Sequence, residues 1–317
     1  MKADKAMSER MWECPPVMIC GFNRADCLQK VFDRVREARP SQLYLVLDAP
    51  REGRPNDVVG NNACREVFAK VDWPCEVVRD YAEKNMGCRG RMSSGITAFL
   101  KKCCEGIILE DDCVPHPDFF RFCAEMLERY RADMRIGSIV GMREHPYLRE
   151  RETSYYFDRF PGSCGWATWQ RAWACYERSK AYWQEISDGQ FLETIFRDKK
   201  QIKRICGWFD DTCGERNTSW ATQWWLTNIV QNFLTIHPSV NMITNIGYEG
   251  AHNVRKTNGV HDVPALGLRF PLAHPRFVMP DPIDEAIVRS RLMQTSLVVR
   301  AINKFLRITR LNVKGIS

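Results

Sequence analysis

The residues most able to do chemistry are Glu110-Asp111-Asp112, directly after the apolar run Gly106–Leu109. Three adjacent carboxylates are poor strand residues. They suit a divalent cation that bridges one of them to the phosphate oxygens of a ligand, because Mg²⁺ and Mn²⁺ are held by one or two carboxylates plus phosphate. The plainer reading is a solvated acidic turn with Asp112 capping the next helix. Other segments weigh against that reading. Asn23 and Arg24 follow one apolar run, Asp48 follows another, and Asn85, Gly87, Arg89 and Arg91 follow a third. Arg24, Arg89 and Arg91 could bind phosphate through forked hydrogen bonds, or simply be exposed at helix starts. Asp48 could accept from a base N–H or a ribose hydroxyl, or form an Asx-turn before Pro50. His252 follows a loop rich in asparagine and glycine, and is a candidate to approach a diphosphate or metal.

The elements that must position these residues read as α/β. Strands are expected at Val17–Gly21, Leu43–Leu47, Cys75–Arg79, Gly106–Leu109 and Ile136–Val140. Helices are expected at Ala25–Arg39, Asn56–Val71, Arg91–Cys104 and Pro117–Tyr130, and later at Ala221–Asn232. Continuous apolar strands separated by helices indicate a mostly parallel sheet covered on both faces. In such sheets ligands bind beyond the carboxyl ends of the strands, where the polar segments fall. From about Glu144 to His252 the chain is rich in aromatics, most of which are expected to fill a second half of the core rather than stack on sugar rings.

Bulk properties exclude several classes. At 317 residues, with 44% hydrophobic and 27% charged residues, the chain can bury a substantial core. No apolar stretch is long enough to span a bilayer, and the first residues lack the apolar centre of an export signal, so a cytoplasmic location is expected. The fourteen cysteines include no C-x-x-C pair and are expected to be reduced, mostly core residues. The net charge of +7 is matched by seven Lys and Arg between Ala286 and Ser317, with no acid among them. The remainder is near neutral, which argues against nucleic acid as a partner. This basic tail, about 281–317, carries apolar residues among its cations. It is read either as an interfacial helix in peripheral contact with anionic lipid or as a helix docked on the domain.

The runs FNRADCLQKVFDRV, LYLVLDAPR, KNMGCRGRMSSGITAFL and GIILEDDCVPHPDFFRFCAEMLERY resemble bacterial GT-A glycosyltransferases, the family 2-like group related to N-acetylglucosaminyltransferase I. FPGSCGWATWQRAW and LTIHPSVNMITNIGYEGAH continue the resemblance, which covers about 15–255 in order. It implies a GT-A fold over about 15–280, with a nucleotide-binding half to about 142 and an acceptor half after it, following a 14-residue extension. It also implies a nucleotide-diphosphate-sugar donor, UDP-sugar favoured, a glycan or glycolipid acceptor, and inversion at the anomeric carbon. By position Asp112 would ligate Mn²⁺ or Mg²⁺, Glu110 and Asp111 would lie by the ribose and sugar, and Arg24 and Asp48 would face the nucleotide. One departure stands out. Relatives carry an aspartate in a W-D-x-Q-W pattern that suits a general base, and here the segment reads Trp220-Ala221-Thr222-Gln223-Trp224. Either a nearby carboxylate serves, among Asp210, Asp211 and Glu215, with Asp211 the candidate, or the chain binds a nucleotide sugar without turning it over. A sugar nucleotidyltransferase ranks behind both, because GFNRADC is not the glycine-rich basic loop that chemistry uses.

Overall fold

The computed structural model describes residues 12–143, 151–177, 179–196, 198–214, 219–247 and 264–292. Its first strand, β1 (Val17–Gly21), is buried along its whole length. Val17 and Ile19 face one apolar layer and Met18 and Cys20 face another, so the run must be apolar throughout. β2 (Gln42–Leu47), β3 (Glu76–Tyr81) and β4 (Glu105–Glu110) lie parallel to it in the order β3-β2-β1-β4. The helices α1 (Ala25–Ala38), α2 (Pro55–Phe68) and α3 (Gly87–Cys103) make the crossovers. After β5 (Cys113–Pro115) comes α4 (Asp118–Tyr130), whose apolar stripe packs in the same layer as α1 and α2.

Beyond β4 the sheet is mixed. β6 (Ile136–Val140), β7 (Tyr155–Asp158), β8 (Trp166–Trp169) and β9 (Leu234–Pro238) complete eight strands in the order β3-β2-β1-β4-β8-β6-β9-β7. β8 runs antiparallel to both β4 and β6, and β7 antiparallel to β9, while β6 and β9 are parallel. The expected strands and helices of the first 140 residues are present with ends shifted by up to four residues. β5, β7, β8 and β9 were not anticipated, and the antiparallel insertions qualify the parallel expectation.

The aromatic-rich half forms the second layer and a satellite cluster. The short α5 (Gln170–Trp173) and α8 (Trp220–Val230) bring Trp166, Trp173, Trp220 and Trp224 together, with ring centroids 5.2–6.5 Å apart. α6 (Lys180–Asp188) and α7 (Lys199–Cys213) pack around Trp183, Phe209 and Leu226. Core packing is thus the main role of these rings, as expected. All fourteen cysteines are free thiols, and seven are buried. α9 (Pro282–Leu292) docks through ion pairs from Arg143 and Arg151 to Asp284 and from Arg159 to Glu285. The start of the basic tail is therefore a docked helix; the rest, 293–317, lies outside the described residues. Among the described residues no helix is long and apolar enough to cross a membrane.

Trp166 is fully buried and touches three other aromatic rings. Trp166→Ala is expected to lower unfolding free energy by about 3–5 kcal/mol, measurable as a lower urea midpoint with unchanged slope.

Candidate functional site

The strand order locates the site. From β1 the chain proceeds outward to β2 and β3, then returns to place β4 on the other side of β1. The connections leaving the carboxyl ends of β1 and β4 therefore diverge and open a crevice between them. Glu110 ends β4 opposite Cys20 of β1, so the acidic triplet and the loop carrying Arg24 meet in that crevice.

Arg24 occupies the N-cap position of α1, but its side chain does not cap the helix. It turns to the carboxylates. One guanidinium nitrogen bonds Asp111 closely, Nε reaches the other Asp111 oxygen at 3.4 Å, and Asp112 Oδ2 accepts at 2.9 Å. Asp111 is buried, whereas Asp112 and Glu110 keep part of their surface open. β10 (Ile243–Asn245) pairs antiparallel with β5 and brings the next turn onto the triplet. A Cβ at Gly247 would stand 2.0 Å from Asp112 Oδ2, so only glycine permits this approach. His252 and Glu215 lie outside the described residues.

Crowded carboxylates shift one another. Burial, then the charges of Asp112 and Asp111, push Glu110 up to about 8. Burial raises Asp111 to about 6 against the opposing pull of Arg24. Burial works against the Arg24 charge, yet Asp111 and Asp112 overcome it and raise its pKa. The Cys88 thiol, at the start of α3, is pushed up to about 12 by burial and then by Glu110, Asp111, Asp112 and Asp48. Cys88, though exposed, is thus within electrostatic range of the same cluster. One arginine against three carboxylates leaves negative charge uncompensated. Among the described residues no group of three or more His, Cys, Asp and Glu could hold a metal alone.

The remaining expected residues divide. Asp48 is buried and braces the third loop: Oδ1 accepts from the Ala49 and Met86 amides, both at 2.9 Å, and Oδ2 accepts from Asn85 at 3.1 Å. Asn23 donates to Asp57 at 2.8 Å, and Asp57 also takes a forked pair from Arg51. Asn61, not singled out in the sequence, donates to Phe22 O and Asp48 O at 2.9 and 2.8 Å, tying the β1 and β2 loops together. Arg91 is buried and turned to Asp80 at 2.7 Å, so its present partner is structural. Arg89 donates to Thr212 O at 3.1 Å, which brings the start of α3 against the turn of α7 that carries Asp211. Asp211 itself is exposed. Asp210 accepts from Trp183 Nε1 at 2.7 Å.

No protein-family model matches the chain, and no curated protein does. Among solved structures, the 4-diphosphocytidyl-2C-methyl-D-erythritol synthase of Anaerococcus prevotii aligns over 52% of this chain and 76% of its own, at 11% identity and a TM-score of 0.29. A likeness of that size carries no functional inference.

The raised Glu110 and Asp111 values fix a pH dependence. In the metal-free protein the folded state holds these protons more tightly than the unfolded chain. For Glu110 the associated stability is fully present below its ordinary value of 4.5 and is lost as pH rises through about 8. Thermal melts between those limits should fall with rising pH, and Glu110→Gln should flatten the fall.

Proposed function

We propose that this chain is a glycosyltransferase that moves a sugar from a nucleotide-diphosphate donor to an acceptor hydroxyl with a divalent cation bound. The observation that carries the reading is the triplet Glu110-Asp111-Asp112, held with Arg24 in the crevice between β1 and β4. The resemblance of the same segments to GT-A glycosyltransferases supports it. So does the position of the crevice at the switch point of the parallel strands, where nucleotides bind in open α/β sheets.

Each residue has a task. Asp112, which keeps part of its surface open, would hold Mn²⁺ or Mg²⁺. Asp111, locked by Arg24, sets the orientation of Asp112 through the shared guanidinium. Glu110, at the end of β4, could accept from a ribose or sugar hydroxyl once ionised. Asp48 and Asn61 hold the β1, β2 and β3 loops in one arrangement around the nucleotide. The bound cation supplies charge neutralisation for the departing diphosphate. Single displacement at the anomeric carbon would invert its configuration.

A second reading has its own observation. Ala221 is the second residue of α8, where a proton-accepting aspartate would be expected, so a protein that binds the donor without turnover would keep the crevice and lose the reaction. It predicts tight donor binding and no product with any acceptor.

Calorimetric titration with UDP and GDP, each with and without Mn²⁺, tests the first reading. One nucleotide should bind at least about tenfold more tightly with metal, a difference of about 1.4 kcal/mol. Asp112→Asn should abolish the metal enhancement and leave the fold intact by circular dichroism. Metal-independent binding, or none with either nucleotide, would remove the basis for the proposal.

A further inference from the structure

A second constellation lies away from the acidic triplet. β7 and β9 pair antiparallel, with Tyr156 opposite His237 and Asp158 opposite Thr235. Asp158 and His237 are thus diagonal neighbours on one face, within side-chain reach. His237 Nε2 is 2.9 Å from Asp158 Oδ1 and 3.1 Å from Phe160 O. Both neighbours are acceptors, so Nε2 carries the proton and Nδ1 carries the free lone pair. Nδ1 has no hydrogen-bond partner among the described residues. Asp158 is fixed in turn: its Oδ1 also accepts from the Phe160 amide at 2.8 Å, and its side chain is 1% exposed. The imidazole retains 11% of its surface.

That surface opens into a cavity of about 270 Å³ lined by Tyr156, Asp158, Trp208, Ala221, Trp225 and His237, among others. Ala221 and His237 therefore share one cavity, although they come from a helix and a strand. Its size is near the lower end for ligand sites, suited to a single sugar ring. Partly open indole faces at Trp208 and Trp225 offer apolar walls for the C–H face of such a ring. A short stretch of chain leads from the cavity towards the crevice. Pro161, Gly162 and Ser163 line it, and the next residue, Cys164, meets Asn245 at 3.5 Å beside β5. Gly165, at φ +63° with a would-be Cβ 2.4 Å from Ile243, allows that segment to turn between the two sites.

The geometry points to this cavity as the seat of the acceptor's pyranose ring, with His237 Nδ1 as the proton acceptor in place of a carboxylate at 221. The assignment rests on the glycosyltransferase reading. In the step, an acceptor hydroxyl oxygen bonds the anomeric carbon of the donor sugar. Its proton passes to Nδ1. The bond from that carbon to the diphosphate oxygen breaks, and the nucleotide diphosphate departs with the electron pair. Asp158 is a positioning residue: it holds the ring tautomer and faces the imidazolium that forms, as a buried carboxylate does in other histidine-base sites.

Two measurements on the full chain test this. First, histidine modification by diethyl pyrocarbonate is followed residue by residue by mass spectrometry, with and without methyl pyranosides. At least one pyranoside should slow modification of His237 severalfold; protection by none overturns the assignment. Second, with a protecting pyranoside as acceptor, His237→Asn should lower kcat by about 10²-fold or more, with nucleotide binding unchanged by calorimetry. Adding Ala221→Asp to His237→Asn should recover at least about tenfold, because a carboxylate would again face the cavity. Wild-type kcat in His237→Asn, or a double variant no faster than the single one, overturns the assignment. Failure of nucleotides to bind the wild-type chain would instead remove the glycosyltransferase reading itself.

Discussion

The site depends on the accommodation of three consecutive carboxylates at the end of a buried parallel strand. β4 is paired with β8 as far as Ile108 and with β1 as far as Glu110, which fixes where its end lies. The carboxylates must therefore be neutralised where they stand. Arg24 serves Asp111 and Asp112, and protonation serves Glu110 in the absence of further positive charge. Low local dielectric makes such a cluster strongly attractive to a cation. The backbone at Gly247 comes close over Asp112, where a side chain would collide with its carboxylate.

Around this cluster the loops are held by polar side chains that bond backbone. Asn61 reaches from α2 to two strand ends, and Asp48 reaches from β2 to the start of the α3 loop. Such bonds leave few ways for the loops to rearrange, since breaking one strands a buried donor or acceptor. The crevice is thus largely built before any ligand arrives. The tryptophans of α5, β8 and α8 pack in one buried cluster, and α9 is fastened to Arg143 and Arg151 by buried ion pairs through Asp284.

The second half of the sheet departs from the regular alternation of strand and helix, and its function lies in that irregularity. β7 and β9 are sequence-distant strands whose antiparallel pairing puts an aspartate and a histidine on one face. α8 delivers Ala221 to the same cavity, and the segment from Phe160 to Gly165 runs from there to the crevice. Cavity and crevice are thus separated by only a few residues of chain.

How much of this was legible beforehand follows from the range of each signal. β1, β2, β4 and β6, with α1 and α4, could be read locally, because fully buried strands must be apolar and amphipathic helices repeat every three to four residues. The carboxyl-end rule then gathered Arg24, Asp48 and the acidic triplet without any coordinates. What the sequence could not determine was which polar side chain satisfies which partner. Arg91 is spoken for by Asp80, Arg89 by a helix carbonyl, and Asp48 by backbone amides. Short strands such as YYFD and WATW carry too few residues for a period to register, so the antiparallel half emerged only in three dimensions. The Asp158–His237 pair is the clearest case, since its two members are 79 residues apart. Local patterning sets which segments are strands and which carry charge, because burial acts residue by residue. Only the tertiary structure, through long-range strand pairing, decides which charges meet.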